Sequence, residues 1–226
     1  MNTRGIAALA VGLLLIAGCG TGAGAAEPDR PPDLTMLEVS GHWDYEVADS
    51  PEELLELRDH DVVVVGTVEE IADGRGIVRY EGSEPDPQLV MPVEVTETLE
   101  GDDSGLIHDG HVYVEIPQGG VNAEGDPAFP VSQWRQAIPA GTRVMLFLAD
   151  FDFAKENDKS TVNEDRGLPE GATRLVADPQ GIIFEYDGNI AQDADGENPI
   201  ATWDVQSIDE ISERVKKHLA GGSGAR

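Results

Sequence analysis

Four consecutive valines, in the run Asp61-Val62-Val63-Val64-Val65-Gly66-Thr67-Val68, constrain this chain more than any other stretch. β-Branched side chains are stiff at χ1 and sit better on a pleated strand than on a helix. A short apolar run without alternation reads as a strand covered on both faces, because a strand with one wet face shows polar residues at every second position. Arg143-Val144-Met145-Leu146-Phe147-Leu148-Ala149 makes the same demand and should be a central strand. Any fold open to this chain must therefore cover both sides of these strands.

The rest of the sequence supplies further strands at hairpin spacing. Residues 76–80 follow an Asp73-Gly74 turn signal, and residues 89–99 form a long strand in which Pro92 marks an edge or a bulge. Residues 111–116 alternate, with Val112, Val114 and Ile116 on one face and His111, Tyr113 and Glu115 on the other, the pattern of a half-buried strand. Residues 117–140 are punctuated by Gly and Pro and read as a long loop or short helix across a barrel mouth. Residues 173–177 and 182–186 are two strands about a turn at Asp178-Pro179-Gln180-Gly181, and Asp187-Gly188-Asn189 signals a tight hairpin.

Two helices flank the strands. Ser50 caps the first, with Pro51 at its first position, Glu53 completing a capping box, and Leu54, Leu55 and Leu57 as its apolar side. Ser207 and Glu210 open the second, whose stripe is Ile208, Ile211, Val215 and Leu219. Lys216, Lys217 and His218 fall in its last turn, where positive charge suits the helix dipole.

Residues 1–18 have the three parts of an export signal: a positive start at Arg4, an apolar stretch over residues 6–16, and small residues before a cleavage point. The apolar stretch is far shorter than the roughly 20 residues a permanent membrane helix needs. Ile16-Ala17-Gly18-Cys19 resembles the bacterial lipobox, in which the cysteine is acylated after cleavage. Cys19 is the only cysteine, so the chain has neither a disulfide framework nor a cysteine metal site, and its core must hold by packing alone. The expected organisation is a lipoprotein signal peptide at 1–18, a lipidated Cys19 with a flexible Gly-, Ala- and Pro-containing tether over 19–33, one domain over 34–219, and a flexible tail at 220–226. The expected address is the extracytoplasmic face of a cell membrane, held there by lipid.

With 44 acidic and 15 basic residues the formal charge is −29, and removal of Arg4 with the signal leaves the mature chain one unit more negative. Such a charge repels phosphate backbones, which argues against nucleic acid as a partner and leaves cationic partners or metal ions. Arginine is far commoner than lysine, and with the abundant Ala, Gly, Val and Asp this suggests a GC-rich genome such as that of a salt-tolerant actinobacterium.

Taken in order, the stretches DVVVVGTV (61–68), VEVTETLEG (93–101), VYVEIPQGG (112–120) and IPAGTRVMLFLAD (138–150), then a glycine-led hairpin and a closing helix, resemble a family of actinobacterial-type secreted proteins and lipoproteins. The resemblance implies a mainly β fold, a small OB-like barrel with flanking N-terminal and C-terminal helices, similar to netrin and tissue-inhibitor-of-metalloprotease modules. Those modules rely on disulfides, and the inhibitors on an N-terminal cysteine that meets a catalytic metal. This sequence has no cysteine besides Cys19, so inhibitory activity does not carry over.

Candidate chemistry is sparse. His108-Asp109-Gly110-His111 places two imidazoles three residues apart, without the helical spacing or the further Cys or His ligands that zinc sites use. Asp193-Ala194-Asp195-Gly196-Glu197-Asn198 resembles the start of a calcium loop, and Asp150 and Asp152 lie in a second acidic cluster with Glu156 and Asp158. Asp150, Asp152, Asp193 and Asp195 are the candidate calcium ligands, and calcium the one cofactor considered. Ser83, Ser104, Ser132 and Ser160 lie in loops without a nucleophile-elbow pattern, so a hydrolase ranks third. Aromatic residues outside the strands, Trp43, Tyr45, Phe129 and Trp134, are either plugs for a barrel end or anchors for a partner; Trp43 and Trp134 are the candidate partner-binding residues. The leading expectation is a non-catalytic binding or accessory module for an extracellular protein, peptide or envelope component, with a calcium-binding acidic domain as the alternative.

Overall fold

A computed structural model of the chain describes residues 32–33, 35–38, 46–152, 154–155, 159–163, 166–192 and 202–222. The elements run α1 (Thr35–Glu38), α2 (Pro51–Leu57), β1 (Val62–Val68), β2 (Ala72–Val78), β3 (Asp86–Glu100), β4 (His111–Pro117), α3 (Val131–Ala137), β5 (Arg143–Ala149), β6 (Thr161–Asn163), β7 (Arg174–Tyr186), β8 (Asn189–Gln192) and α4 (Ile208–Gly222). Five strands close into a barrel. β1 pairs with β3 and β5, β3 with β4, and β5 with β7, all antiparallel, and β4 with β7 in parallel. Taken as barrel strands one to five, their neighbour order is 1-2-3-5-4-1 with a parallel closure and a helix between the third and fourth. That is the topology of an OB barrel. Outside it, β2 and β6 extend the sheet from β3, and β8 forms a hairpin with β7.

The valine run is buried for two different reasons on its two faces. Val62, Val64 and Val68 point into the barrel with Leu89, Met91, Val93, Val112, Val114, Val144, Leu146, Leu148 and Phe184. Val63 and Val65 point outward, with Met145, Phe147 and Ile183, under Leu54 of α2 and Ile208, Ile211 and Val215 of α4. The β1–β5–β7 wall thus has the barrel interior on one side and the helices on the other. Both capping boxes form, with Ser50 accepting from Glu53 N at 3.0 Å and Ser207 from Glu210 N at 3.2 Å. Each glutamate reaches one residue further back than the serine: Glu53 accepts from Asp49 N at 2.6 Å and Glu210 from Gln206 N at 3.0 Å. Leu57 departs from expectation, lying exposed on the far side of α2. α4 runs to Gly222, so Lys216 to His218 precede its last turn.

Two predicted turns are bulges within longer strands. Asp73-Gly74 lies inside β2, where the register against β3 shifts between Asp73 and Gly76; the chain turns later, at residues 80–83. Asp178-Pro179-Gln180-Gly181 lies inside β7, because β5 continues past it on both sides: Leu148 opposes Ala177 and Leu146 opposes Ile182. Gly181 stands against Phe147, and a Cβ there would lie 2.7 Å from the Phe147 Cβ, so only glycine fits. Pro92 marks a change of neighbour. β3 pairs with β2 up to Val90 and with β1 from Val93, and the Pro92 carbonyl on that side accepts from Glu69 N at 2.9 Å.

The 117–140 crossing contains α3, which plugs the barrel with Trp134, Ala137 and Ile138. Trp134 is fully buried, which corrects its candidacy as a partner anchor; its indole is core. Phe129 packs partly buried against the same core. Trp134→Ala should lower stability by about 3–5 kcal/mol, as for other large aromatic truncations in cores. Chemical denaturation of wild type and variant measures this, and a loss below about 1 kcal/mol would place the indole outside the core.

Candidate functional site

OB barrels take ligands on the outer face of their second and third strands, between the loops that follow the first and fourth. Here those strands are β3 and β4. Their register lines up the outward pairs Gln88 with Pro117, Val90 with Glu115, Pro92 with Tyr113, and Glu94 with His111. The face divides into a half covered by the protein itself and a half left open.

The covered half is closed by ion pairs. Arg75, from β2, lays its guanidinium flat on Glu115, with Nε donating to Oε1 at 2.7 Å and Nη2 to Oε2 at 2.8 Å. The same Nη2 donates to Asp152 at 2.6 Å, and Arg174 Nε stands 3.4 Å from Glu115 Oε1. The Glu115 side chain has no exposure and that of Arg75 only 5%. Burial opposes the charge on Arg75, but Glu115 and Asp152 outweigh it and raise the guanidinium pKa. Burial likewise opposes the charge on Asp152, and the hydrogen bonds from Arg75 and Ala154 N outweigh it, holding the carboxyl below its usual range. Gly167, between β5 and β7, packs onto this half of the face. It sits so close that a Cβ would lie 2.7 Å from Asp73 O and 2.9 Å from the Val90 side chain.

This arrangement corrects the half-buried reading of β4, whose outward Tyr113 and Glu115 are buried too. The signal was weak in sequence: alternation marks a solvated face, but a buried ion pair satisfies the same pattern. Glu115→Gln leaves two arginines beside a neutral amide and should cost about 3–5 kcal/mol, the range for breaking one side of a buried pair. Arg75→Met combined with Glu115→Leu should recover most of that loss in a double-mutant cycle, and additivity of the two changes would show that they are not paired.

The open half is built on a tight turn. Asp109 and Gly110 both have positive φ, 49° and 80°, and His108 and His111 exchange backbone hydrogen bonds at 2.9 Å across them. The His111 Nδ1 donates to the Asp109 carbonyl at 2.9 Å, which fixes the ring and leaves Nε2 3.5 Å from the Glu69 carboxylate. The His108 Nε2 lies 3.7 Å from Asp109 Oδ2. Beside them Tyr113 is nearly buried; burial, then the charges of Glu69 and Asp109, raise its hydroxyl pKa. Glu69, Glu94 and Asp109 are exposed. The half-buried His108 and His111 rings and the nearly buried Tyr113 floor this shelf, and carboxylates rim it.

Of the predicted calcium ligands, Asp150 and Asp152 lie among the described residues. Asp150 is exposed, and its amide donates to Asp61 at 2.8 Å. Asp152 is engaged by Arg75, at 2.6 Å from its Nη2. Cys19, Trp43, Tyr45, Asp193 and Asp195 lie outside the described residues. Among the described residues no group of three or more His, Cys, Asp or Glu is placed to hold a metal ion. Ser83 and Ser104 serve their own turns, Ser83 Oγ donating to Tyr80 O at 3.0 Å and Ser104 Oγ accepting from Leu106 N at 3.2 Å. In comparisons with known proteins, the chain matches no family model and no curated sequence.

Proposed function

We propose that the chain is a lipid-anchored protein of the cell surface whose barrel is a non-catalytic binding module for a cationic protein or peptide segment. The observation that supports this reading most is the charge division of the β3–β4 face. The covered half neutralises its own carboxylates with Arg75 and Arg174, whereas the open half presents Glu69, Glu94 and Asp109 to solvent. A rim of carboxylates over rings favours lysine and arginine side chains through charge and through the ring faces. The same rim, on a chain with a net charge of −29, repels nucleic acid, the ligand for which many OB barrels use this face.

The anchor fits this use. Asp33 N donates to the Ala137 carbonyl at 2.7 Å, so the segment after Cys19 joins the fold at α3. Fourteen residue steps separate Cys19 from Asp33, and a chain of that length reaches at most about 50 Å. The point where the tether joins the fold then lies within about 50 Å of the membrane surface.

Address and binding are separable in experiment. Cys19→Ala should move the protein from the membrane fraction to the soluble fraction of its host, and retention in the membrane would refute the lipid anchor. For binding, a photo-crosslinking amino acid at Tyr113 in the cell-displayed protein should capture a basic partner that the same label at Glu213 on α4 does not. Combining Glu69→Gln, Glu94→Gln and Asp109→Asn should reduce capture about tenfold, equivalent to roughly 1.4 kcal/mol. Equal capture at both positions, or capture indifferent to the triple change, would reject the shelf.

A further inference from the structure

His60 joins α2 to β1, and its imidazole is 3% exposed. Among the described residues, neither Nδ1 nor Nε2 has a hydrogen-bond partner. The ring meets Phe147 of β5 edge-on, with centroids 5.4 Å apart, and Nε2 lies 3.9 Å from Asp178 Oδ2 in the β7 bulge. Asp178, itself 5% exposed, is already taken: Arg58 Nη1 donates to both its carboxylate oxygens, and Gln180 N donates to Oδ1 at 2.8 Å. Arg58 also donates to the Glu46 carbonyl.

Next to this pair, Gln180 accepts from Ala48 N at 2.8 Å and donates to Ala48 O at 3.1 Å, and Trp203 Nε1 donates to Ala48 O at 2.9 Å. The Arg58–Asp178 pair and Gln180 together form a clasp that fastens the segment before α2, and α2 itself, to the β7 bulge. His60 stands inside the clasp and takes no part in it.

Neither protonation state suits this position. A neutral imidazole leaves a buried N–H unpaired, at a cost of about 1–3 kcal/mol. A charged imidazolium faces one carboxylate that another cation already holds. The charged groups around the ring are Asp178 from β7 and Arg58, Asp59 and Asp61 from its own segment, while β5 presents only the uncharged Phe147 ring. We propose that His60 is an acid-operated release for this clasp: on protonation it competes with Arg58 for Asp178, and residues 46–60 with α2 loosen from the outer wall of the barrel.

The sign follows from the environment. Burial lowers the His60 pKa from its ordinary 6.5; Asp178 opposes that shift and Arg58 adds to it. A released imidazole binds its proton more readily than a clasped one, so the clasp is fully held above about pH 6.5 and weakens as pH falls through the lower clasped value. Glu52, through its hydrogen bond from Arg214, and Asp152 are held below their ordinary 4.5 and 3.8, so their loss belongs to more acid conditions. Release would uncover the part of the apolar outer wall that Leu54 covers, while Ile208, Ile211 and Val215 of α4 stay over the rest.

Amide hydrogen exchange on the full chain at pH 7.5 and 5.5, corrected for intrinsic rates, tests the device. Protection of α2 should fall up to about tenfold at pH 5.5, the limit for one proton one unit below its free value, while α3 stays unchanged. His60→Leu and His60→Gln should each hold α2 equally at both pH values. Asp178→Asn should expose α2 at both. Equal α2 protection in the unaltered chain, a pH effect that survives both His60 changes, or an imidazole titrating at the ordinary value in the intact fold would each overturn the proposal.

Discussion

Burial of the β1–β5–β7 wall on both faces is the constraint from which the remaining architecture follows. A strand of valines cannot alternate between wet and dry, so it needs a closed barrel on one side and a helical layer on the other. The barrel satisfies the first need by curling the sheet until β1 meets β3, which leaves the wall no free edge. The second need fixes α2 and α4. Leu54, Ile208, Ile211 and Val215 lie over Val63, Val65, Met145 and Phe147, and Arg214 joins the helices through a two-pronged pair with Glu52. With a single cysteine in the sequence the fold has no disulfide, and it relies on this double layer.

The wall explains where polar groups can go. Its outer side is apolar, so the buried charges collect along its margins: Arg58 with Asp178 at the β7 bulge, and Arg75 with Glu115 on the opposite β4 face. Both sites use arginine: the Arg75 fork meets the two Glu115 oxygens through Nε and Nη2, and Arg58 meets both Asp178 oxygens through Nη1 while Nη2 reaches the Glu46 carbonyl. Each closes a seam between segments far apart in the chain, residues 58 and 178 in one and 75 and 115 in the other. Buried pairs of this kind add little net stability over apolar residues of the same shape, but they penalise any arrangement that separates the partners. They therefore act on register and on how the loops lie, more than on how tightly the core holds.

The sequence was most legible where one segment's own pattern settled its structure. The two apolar runs, both capping boxes and the Asp187-Gly188 hairpin with φ values of 49° and 69° all formed where expected. It was least legible where a distant strand decides. Asp73-Gly74 and Asp178-Pro179-Gln180-Gly181 carry turn chemistry, yet each is a bulge because a continuous neighbour, β3 or β5, keeps pairing beyond it. The sequence offers both plug and anchor for Trp134, because no local pattern says whether a crossing helix enters a barrel. The Arg75–Glu115 pair gave no local signal at all, since the partners lie 40 residues apart and Glu115 alone resembles a solvated outward position.

The charge that reaches solvent is more one-sided than composition alone implies. Arg58 and Arg75, of only 15 basic residues, are bonded to buried acids by the fold, and each such pair takes one charge of either sign largely out of the surface. Removing equal numbers from 44 acids and 15 bases raises the ratio of acid to base among those left. The surface is thus more acidic in proportion than the chain. A field of that sign attracts cations over roughly 8–10 Å at physiological salt and fades within about 3 Å at 1 M. Specificity must come from short range, and on the β3–β4 face the short-range features are the His111 ring fixed by the Asp109 carbonyl and the near-buried Tyr113 beside it. For the proposed cationic partner, long-range charge would select the class, and the fixed rings would decide which members of that class fit.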